Sequence, residues 1–157
     1  MSRWMFQEQV NLLDNKQILD ATGVAQECMH SIKTKRMDSL IMKLDFVKAY
    51  DYVNWDFLRL VSLQVGLSVK ATNWVMGCVN SANFAVLVNG ERTRSFKSSW
   101  GLRQGCPLSP LLFIFVVKGL SRIIHNARRD GIMKGIKLTH IIGITHLLFV
   151  DDAILFG

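Results

Sequence analysis

Apolar residues recur at helical spacing early in the chain: Ile18, Ala21, Ala25, Cys28 or Met29, and Ile32. That period predicts an amphipathic helix, with Lys33, Lys35 and Arg36 at the end where cations suit the helix dipole. The apolar run over residues 40–46 is too short for a stable helix and predicts a buried strand with Asp45 near its end. Asn54 is placed to cap a helix carrying Trp55, Leu58, Val61 and Val65, with Gly66 just past its end. Ser68 opens a further helix, with Trp74, Val75, Cys78 and Val79 on one side. From Phe84 the pattern turns to strand, and Asn89-Gly90 is a strong hairpin signal with a return strand over residues 93–98. Residues 101–110 read as an ordered loop, and Ser109-Pro110 starts a helix that runs to about Arg129, ahead of Gly131. Residues 136–156 predict short β segments, with Asp151-Asp152 between residues 147–150 and 153–156. Helices and strands mix without a βαβ rhythm, so the predicted class is α+β.

Composition narrows the classes that this pattern allows. Half of the 157 residues are hydrophobic and a fifth are charged, which suits a globular chain and not a disordered one. Lys118 interrupts the longest apolar run, residues 111–117, well short of the ~20 residues of a membrane span, so no membrane partner is expected. The opening residues run directly into Gln7, Glu8 and Gln9 and do not read as a secretory leader. Nineteen basic against twelve acidic residues leave a net charge of +7, which invites a polyanion. Cys28, Cys78 and Cys106 are too far apart for a zinc pair and odd in number, so an intracellular, reducing compartment is expected.

The candidate chemistry lies in three aspartates. Strand interiors are depleted in Asp, so Asp151-Asp152 among Phe149, Val150, Ala153 and Ile154 needs a compensating role. One reading makes the pair a hairpin turn, where Asp is at home. The other aims its carboxylates at a divalent cation. Asp45 also lies near the end of an apolar strand; beside the terminal hairpin, it would bring three carboxylates together. Without a cation they would repel each other, and Mg²⁺ removes that conflict. Neighbouring strand residues face opposite ways, so Asp151 and Asp152 need not share a role.

Three ordered stretches then carry a family resemblance: Leu44-Asp-Phe-Val-Lys-Ala-Tyr-Asp51, Gly101-Leu-Arg-Gln-Gly-Cys-Pro-Leu-Ser-Pro110 and Phe149-Val-Asp-Asp152. Together they resemble the palm and fingers motifs of reverse transcriptases, in particular the plant-like branch of the non-LTR (LINE-type) retrotransposons. The resemblance extends from residue 12 to residue 157. It implies a fingers/palm core with a small antiparallel sheet packed on helices, about residues 1–40 forming a fingers-side helix and about 41–157 the palm and fingers core. The family continues with a primer-gripping segment and a helical thumb, and such elements also carry an endonuclease. The chain is therefore expected to be a partial core, thumb absent and inactive alone.

The resemblance also implies roles. Asp45 and Asp151 match metal-ligating aspartates, Asp152 is the partner of Asp151, and the backbone carbonyl of Phe46 is an added ligand. Two Mg²⁺ ions, or Mn²⁺, would serve a nucleotidyl transfer that adds a dNTP to the 3′-hydroxyl of a DNA primer on an RNA template. Tyr50 matches the aromatic gate beneath the incoming sugar, where a ring excludes a 2′-hydroxyl; Gln104 and Gly105 match the loop against the incoming nucleotide. Lys16 stands where the family has an arginine that meets triphosphate oxygens; it supplies charge without the bidentate fork. Arg103, Arg92, Arg94 and Lys97 are weaker candidates for nucleic-acid contact. The family adds the nucleus as a compartment. The alternatives are a non-catalytic nucleic-acid-binding or decayed remnant of such an element, a group II intron-type enzyme, and a phosphohydrolase, which Val47 disfavours because that chemistry wants a second Asp there.

Overall fold

The first predicted helix forms as α1 (Ile18–Lys35), with Cys28 fully buried and Met29 turned outward. The computed structural model describes residues 18–137, 143–149 and 152–157, with the backbone alone at 18–21. Lys16 and Asp151 lie outside the described residues. The chain divides into two compact units, one formed by the residues up to Val47 together with those from Lys118 onward, the other by Lys48–Val117.

In the first unit, β1 (Ile41–Asp45), β8 (His146–Leu148) and β9 (Asp152–Phe156) make an antiparallel sheet in the order β1-β9-β8. Lys43 pairs with Ile154 and Leu147 with Ile154 from the other side, so β9 is the central strand. Two shorter strands, β6 (Ile136–Lys137) and β7 (Gly143–Ile144), pair with each other. Cys28, Ile136, Leu147 and Phe156 form the core, and Val24, Ala25 and Ile32 of α1 pack against it at helical spacing. The expectation of a buried strand at residues 40–46 is corrected. Leu40, Ile41 and Met42 are exposed, whereas the sheet's other outer strand, β8, is buried along its length, so the apolar run of β1 is not covered as its composition suggests.

The second unit holds α2 (Trp55–Gln64) and α3 (Val69–Asn80), both capped as their sequences predict. The Asn54 carboxamide accepts from the Phe57 N–H at 2.9 Å, and the Ser68 hydroxyl from the Ala71 N–H at 3.2 Å. Of the α3 side carrying Trp74, Val75, Cys78 and Val79, the valines are half-buried and Trp74 and Cys78 are exposed, while Thr72 is the helix's fully buried side chain. The predicted hairpin is broken into short pairs. β2 (Asn83–Phe84) pairs with β5 (Phe96–Lys97), and β3 (Leu87–Val88) with β4 (Glu91–Arg92) around Asn89-Gly90. Both turn residues have positive φ, 52° and 86°, as a two-residue primed turn requires. The return arm thus starts at Glu91, earlier than predicted, since that turn pairs Val88 directly with Glu91.

The long helix α4 (Leu108–Arg129) starts slightly before the predicted Ser109 and contributes to both units. By length and composition it could cross a membrane. Ser109, Phe113, Val117, Ser121 and Ile124, however, form a stripe buried within protein, the pattern of a core helix.

Candidate active site

Asp45 ends β1 and Asp152 begins β9, and the two are direct cross-strand partners. Directly opposed residues of an antiparallel pair project to the same face, so the register brings two carboxylates together. Like charges so placed destabilise a ladder. Lys43, two residues before Asp45 and on the same face of β1, answers one of them: its Nζ lies 3.2 Å from the Asp152 carboxylate. Asp152 is the first residue of β9, and its carbonyl accepts from the Phe149 N–H at 2.8 Å. Among the described residues no group of three or more His, Cys, Asp or Glu converges. The chemistry of the donor set still fits a hard divalent cation, since paired carboxylate oxygens are what such an ion takes.

The second unit assembles Tyr50, Gln104 and Gly105 around one cleft. The chain turns over residues 48–53, and Lys48 adopts a φ of 53° there. This turn and the start of α2 are stitched to the loop after Trp100 by three hydrogen bonds. The Leu102 N–H donates to the Tyr50 carbonyl at 2.8 Å, the Gly101 N–H to the Val53 carbonyl at 2.9 Å, and the Trp55 Nε1–H to the Gly101 carbonyl at 2.8 Å. Gly101 is required at this crossing: its φ is +81°, and a Cβ would stand 2.6 Å from the Asp51 carbonyl oxygen. The half-buried Tyr50 ring stacks on buried Phe113 of α4, with centroids 4.6 Å apart and planes 15° from parallel.

Gln104 and Gly105 follow on the same loop. Gly105 has a φ of +80° and open space where a side chain would project, so the cleft floor is left clear. With Tyr50, Cys106, Pro107, Ser109 and Pro110 they line a cleft of about 560 Å³. A larger cleft, about 710 Å³, takes in Asp51, Phe84, Phe96, Trp100 and Arg103; Gln104, Cys106 and Ser109 line both clefts. The Cys106 thiol is pulled below its usual pKa chiefly by the Leu108 N–H at the start of α4, with Ser109 and the nearby Arg103 charge adding to this. Arg103 itself is exposed, while its carbonyl accepts from the Ser109 hydroxyl at 2.6 Å. Arg92, Arg94 and Lys97 are exposed on the hairpin, where Phe84 and Phe96 face each other at 6.2 Å.

Two residues of this arrangement escape sequence reasoning. Phe113 looks like any apolar position of a helix, and nothing local marks it as the support of Tyr50. Asp51 closes the first motif, and only the fold brings its carboxylate within 3.2 Å of the Gln104 amide nitrogen.

Comparison with known proteins agrees with these features. The profile of the family "Reverse transcriptase (RNA-dependent DNA polymerase)" matches residues 3–157. The chain is 28% identical to the Pol polyprotein of a type-1 retrotransposable element R2 from Popillia japonica, over 80% of its own length and 20% of that protein. A counterpart from Nasonia vitripennis is 30% identical over 92% of this chain and 14% of its own length. An uncharacterised mitochondrial protein of Arabidopsis thaliana is 42% identical over 42% of this chain and 55% of its own. The chain thus spans about a fifth of the length of the first of these relatives. In fold it is similar to apo telomerase from Candida tropicalis truncated from its C-terminal domain, with a TM-score of 0.63 at 15% identity, over 95% of this chain and 29% of that one. With the α+β architecture, the paired aspartates and a family match along almost its whole length, this chain belongs to the reverse transcriptase (RNA-dependent DNA polymerase) family.

Proposed function

We propose that this chain is the catalytic core of an RNA-directed DNA polymerase of a non-LTR retrotransposon, which extends a DNA primer on an RNA template. Reverse transcriptases as a family use divalent metal ions and bind an RNA template with a primer. The observation that carries the reading is the Asp45–Asp152 register, which puts two carboxylates opposite each other in a sheet with one lysine to answer them. Asp45, Asp151, Asp152 and the Phe46 carbonyl would hold two Mg²⁺ or Mn²⁺ ions. Such ions, when bound, lower the pKa of a primer 3′-hydroxyl and neutralise a leaving pyrophosphate.

The chain's own residues do the remaining work. The Tyr50 ring, backed by Phe113, sits under the sugar and leaves no room for a 2′-hydroxyl. Gln104 offers its amide to the incoming nucleotide, and Gly105 lets the backbone approach it. Lys16 meets triphosphate oxygens as a point charge. Arg103, Arg92, Arg94 and Lys97 follow the phosphate backbone, which makes binding fall with salt. Three free cysteines suit a reducing compartment, and we place the work in the nucleus.

The test is a thermal melt of the chain with and without Mg²⁺ or Mn²⁺, beside Asp45→Asn. A cation at tenfold excess over its Kd stabilises the folded state by ~1.4 kcal/mol, or about 3–6 °C for a domain of this size. The reading expects that shift in the wild type and its loss in Asp45→Asn. A cooperative melt blind to metal, together with salt-sensitive RNA binding, would instead support a nucleic-acid-binding remnant.

A further inference from the structure

We infer that Asp51 is a positioning residue for the nucleotide site, acting through Gln104. The inference rests on the polymerase reading above and adds a residue to it. The Gln104 Nε2–H donates to the Asp51 carboxylate at 3.2 Å. An ionised carboxylate only accepts hydrogen bonds, so the contact fixes which end of the amide faces Asp51. The NH₂ end is committed, and the carbonyl end is left for whatever enters from the other side.

The two clefts give that choice a direction. Asp51 lines the larger cleft and Tyr50 the smaller, while Gln104 lines both. Asp51 therefore meets Gln104 within the larger cleft, which Tyr50 and Gly105 do not line. Its own backbone is anchored for this task. The Asp51 N–H donates to the Lys48 carbonyl at 2.8 Å, and the Asp51 carbonyl is packed where Gly101 has no side chain. The neighbouring bonds from Leu102 to Tyr50 and from Gly101 to Val53 tie the Asp51 turn to the Gln104 loop on both sides. Carboxylate and amide thus ride on one stitched piece of backbone, so that the orientation of the amide depends on Asp51. Removing the acceptor lets the amide rotate and present a donor where an acceptor stood.

The experiment measures dNTP·Mg²⁺ binding by this chain in the wild type, Asp51→Ala, Asp51→Asn, Gln104→Ala and the Asp51→Ala/Gln104→Ala double variant. Thermal melts of each report whether the fold survives. Loss of a charge-assisted hydrogen bond at an exposed site predicts about a three- to tenfold weaker affinity in Asp51→Ala. Asp51→Asn, isosteric but able to donate, is expected to fall between Asp51→Ala and the wild type. In the Gln104→Ala background, Asp51→Ala should add nothing, the signature of two residues acting as one. A second readout is the Gln104 side-chain amide resonance, which should move in Asp51→Ala relative to the wild type if the carboxylate holds the amide. Wild-type binding that is indifferent to Asp51→Ala, or equally weakened with and without Gln104, overturns this inference alone. A wild-type chain that folds but binds no dNTP overturns the polymerase reading and this inference together.

Discussion

Lowering the pH from 7 to 4 should unlock the first unit through His146, one of its fully buried side chains. Its ring lies between two hydroxyls: Ser121 Oγ of α4 is 2.8 Å from Nε2, and Thr145 Oγ1 is 2.9 Å from Nδ1. Hydroxyls can turn to accept as readily as donate, so the hydrogen bonds do not forbid a proton. Burial does: it pushes the His146 pKa down to about 4 from 6.5, with the nearby His125 charge acting in the same direction. The unfolded chain binds the proton at higher pH than the folded one, so stability rises with pH through this window. The contribution is complete above 6.5 and is lost as pH falls through 4. Linkage across that interval gives a loss of about 2 kcal/mol between pH 7 and 5, and about 3 kcal/mol by pH 4. The assay is urea unfolding followed by circular dichroism at pH 7, 6, 5 and 4, in the wild type and in His146→Asn. Comparing slopes against pH removes the carboxylates, which titrate in both proteins, and removes the fixed cost of the substitution. Parallel stability–pH curves for the two would refute the reasoning.

Four further outcomes follow from single contacts. Gly101→Ala adds a Cβ 2.6 Å from the Asp51 carbonyl at a φ of +81° and should cost about 2 kcal/mol in denaturant melts. Thr72 is fully buried and its hydroxyl is the one unbonded buried side-chain polar atom among the described residues, so Thr72→Val should be neutral or raise stability by about 1 kcal/mol. Asn54→Ala removes the α2 cap and should lower stability by about 1 kcal/mol, with the loss in helical signal modest. Phe113→Leu takes away the surface on which Tyr50 stacks; the deoxynucleotide-over-ribonucleotide preference in binding should fall while the melt drops by about 1–3 kcal/mol.

The sequence by itself determined the local elements of this protein and the ordered motifs of its family. Caps at Asn54 and Ser68, the Asn89-Gly90 turn and the apolar period of α1 depend on neighbours within a few residues, and each formed where those neighbours predict. Burial was less legible, because it depends on what an element packs against. Residues 40–46 look like a buried strand, yet Leu40, Ile41 and Met42 of β1 are exposed, and on the apolar side of α3 Trp74 and Cys78 face outward. Asp45 and Asp152 are far apart in the chain, and spacing could not make them meet. Only the antiparallel pairing of β1 with β9 set them opposite each other. The same holds for Tyr50 on Phe113 and for Asp51 on Gln104: each partner belongs to a different motif or element, and the fold alone joins them, in the second case where the backbone at Gly101 comes too close to the Asp51 carbonyl for any side chain.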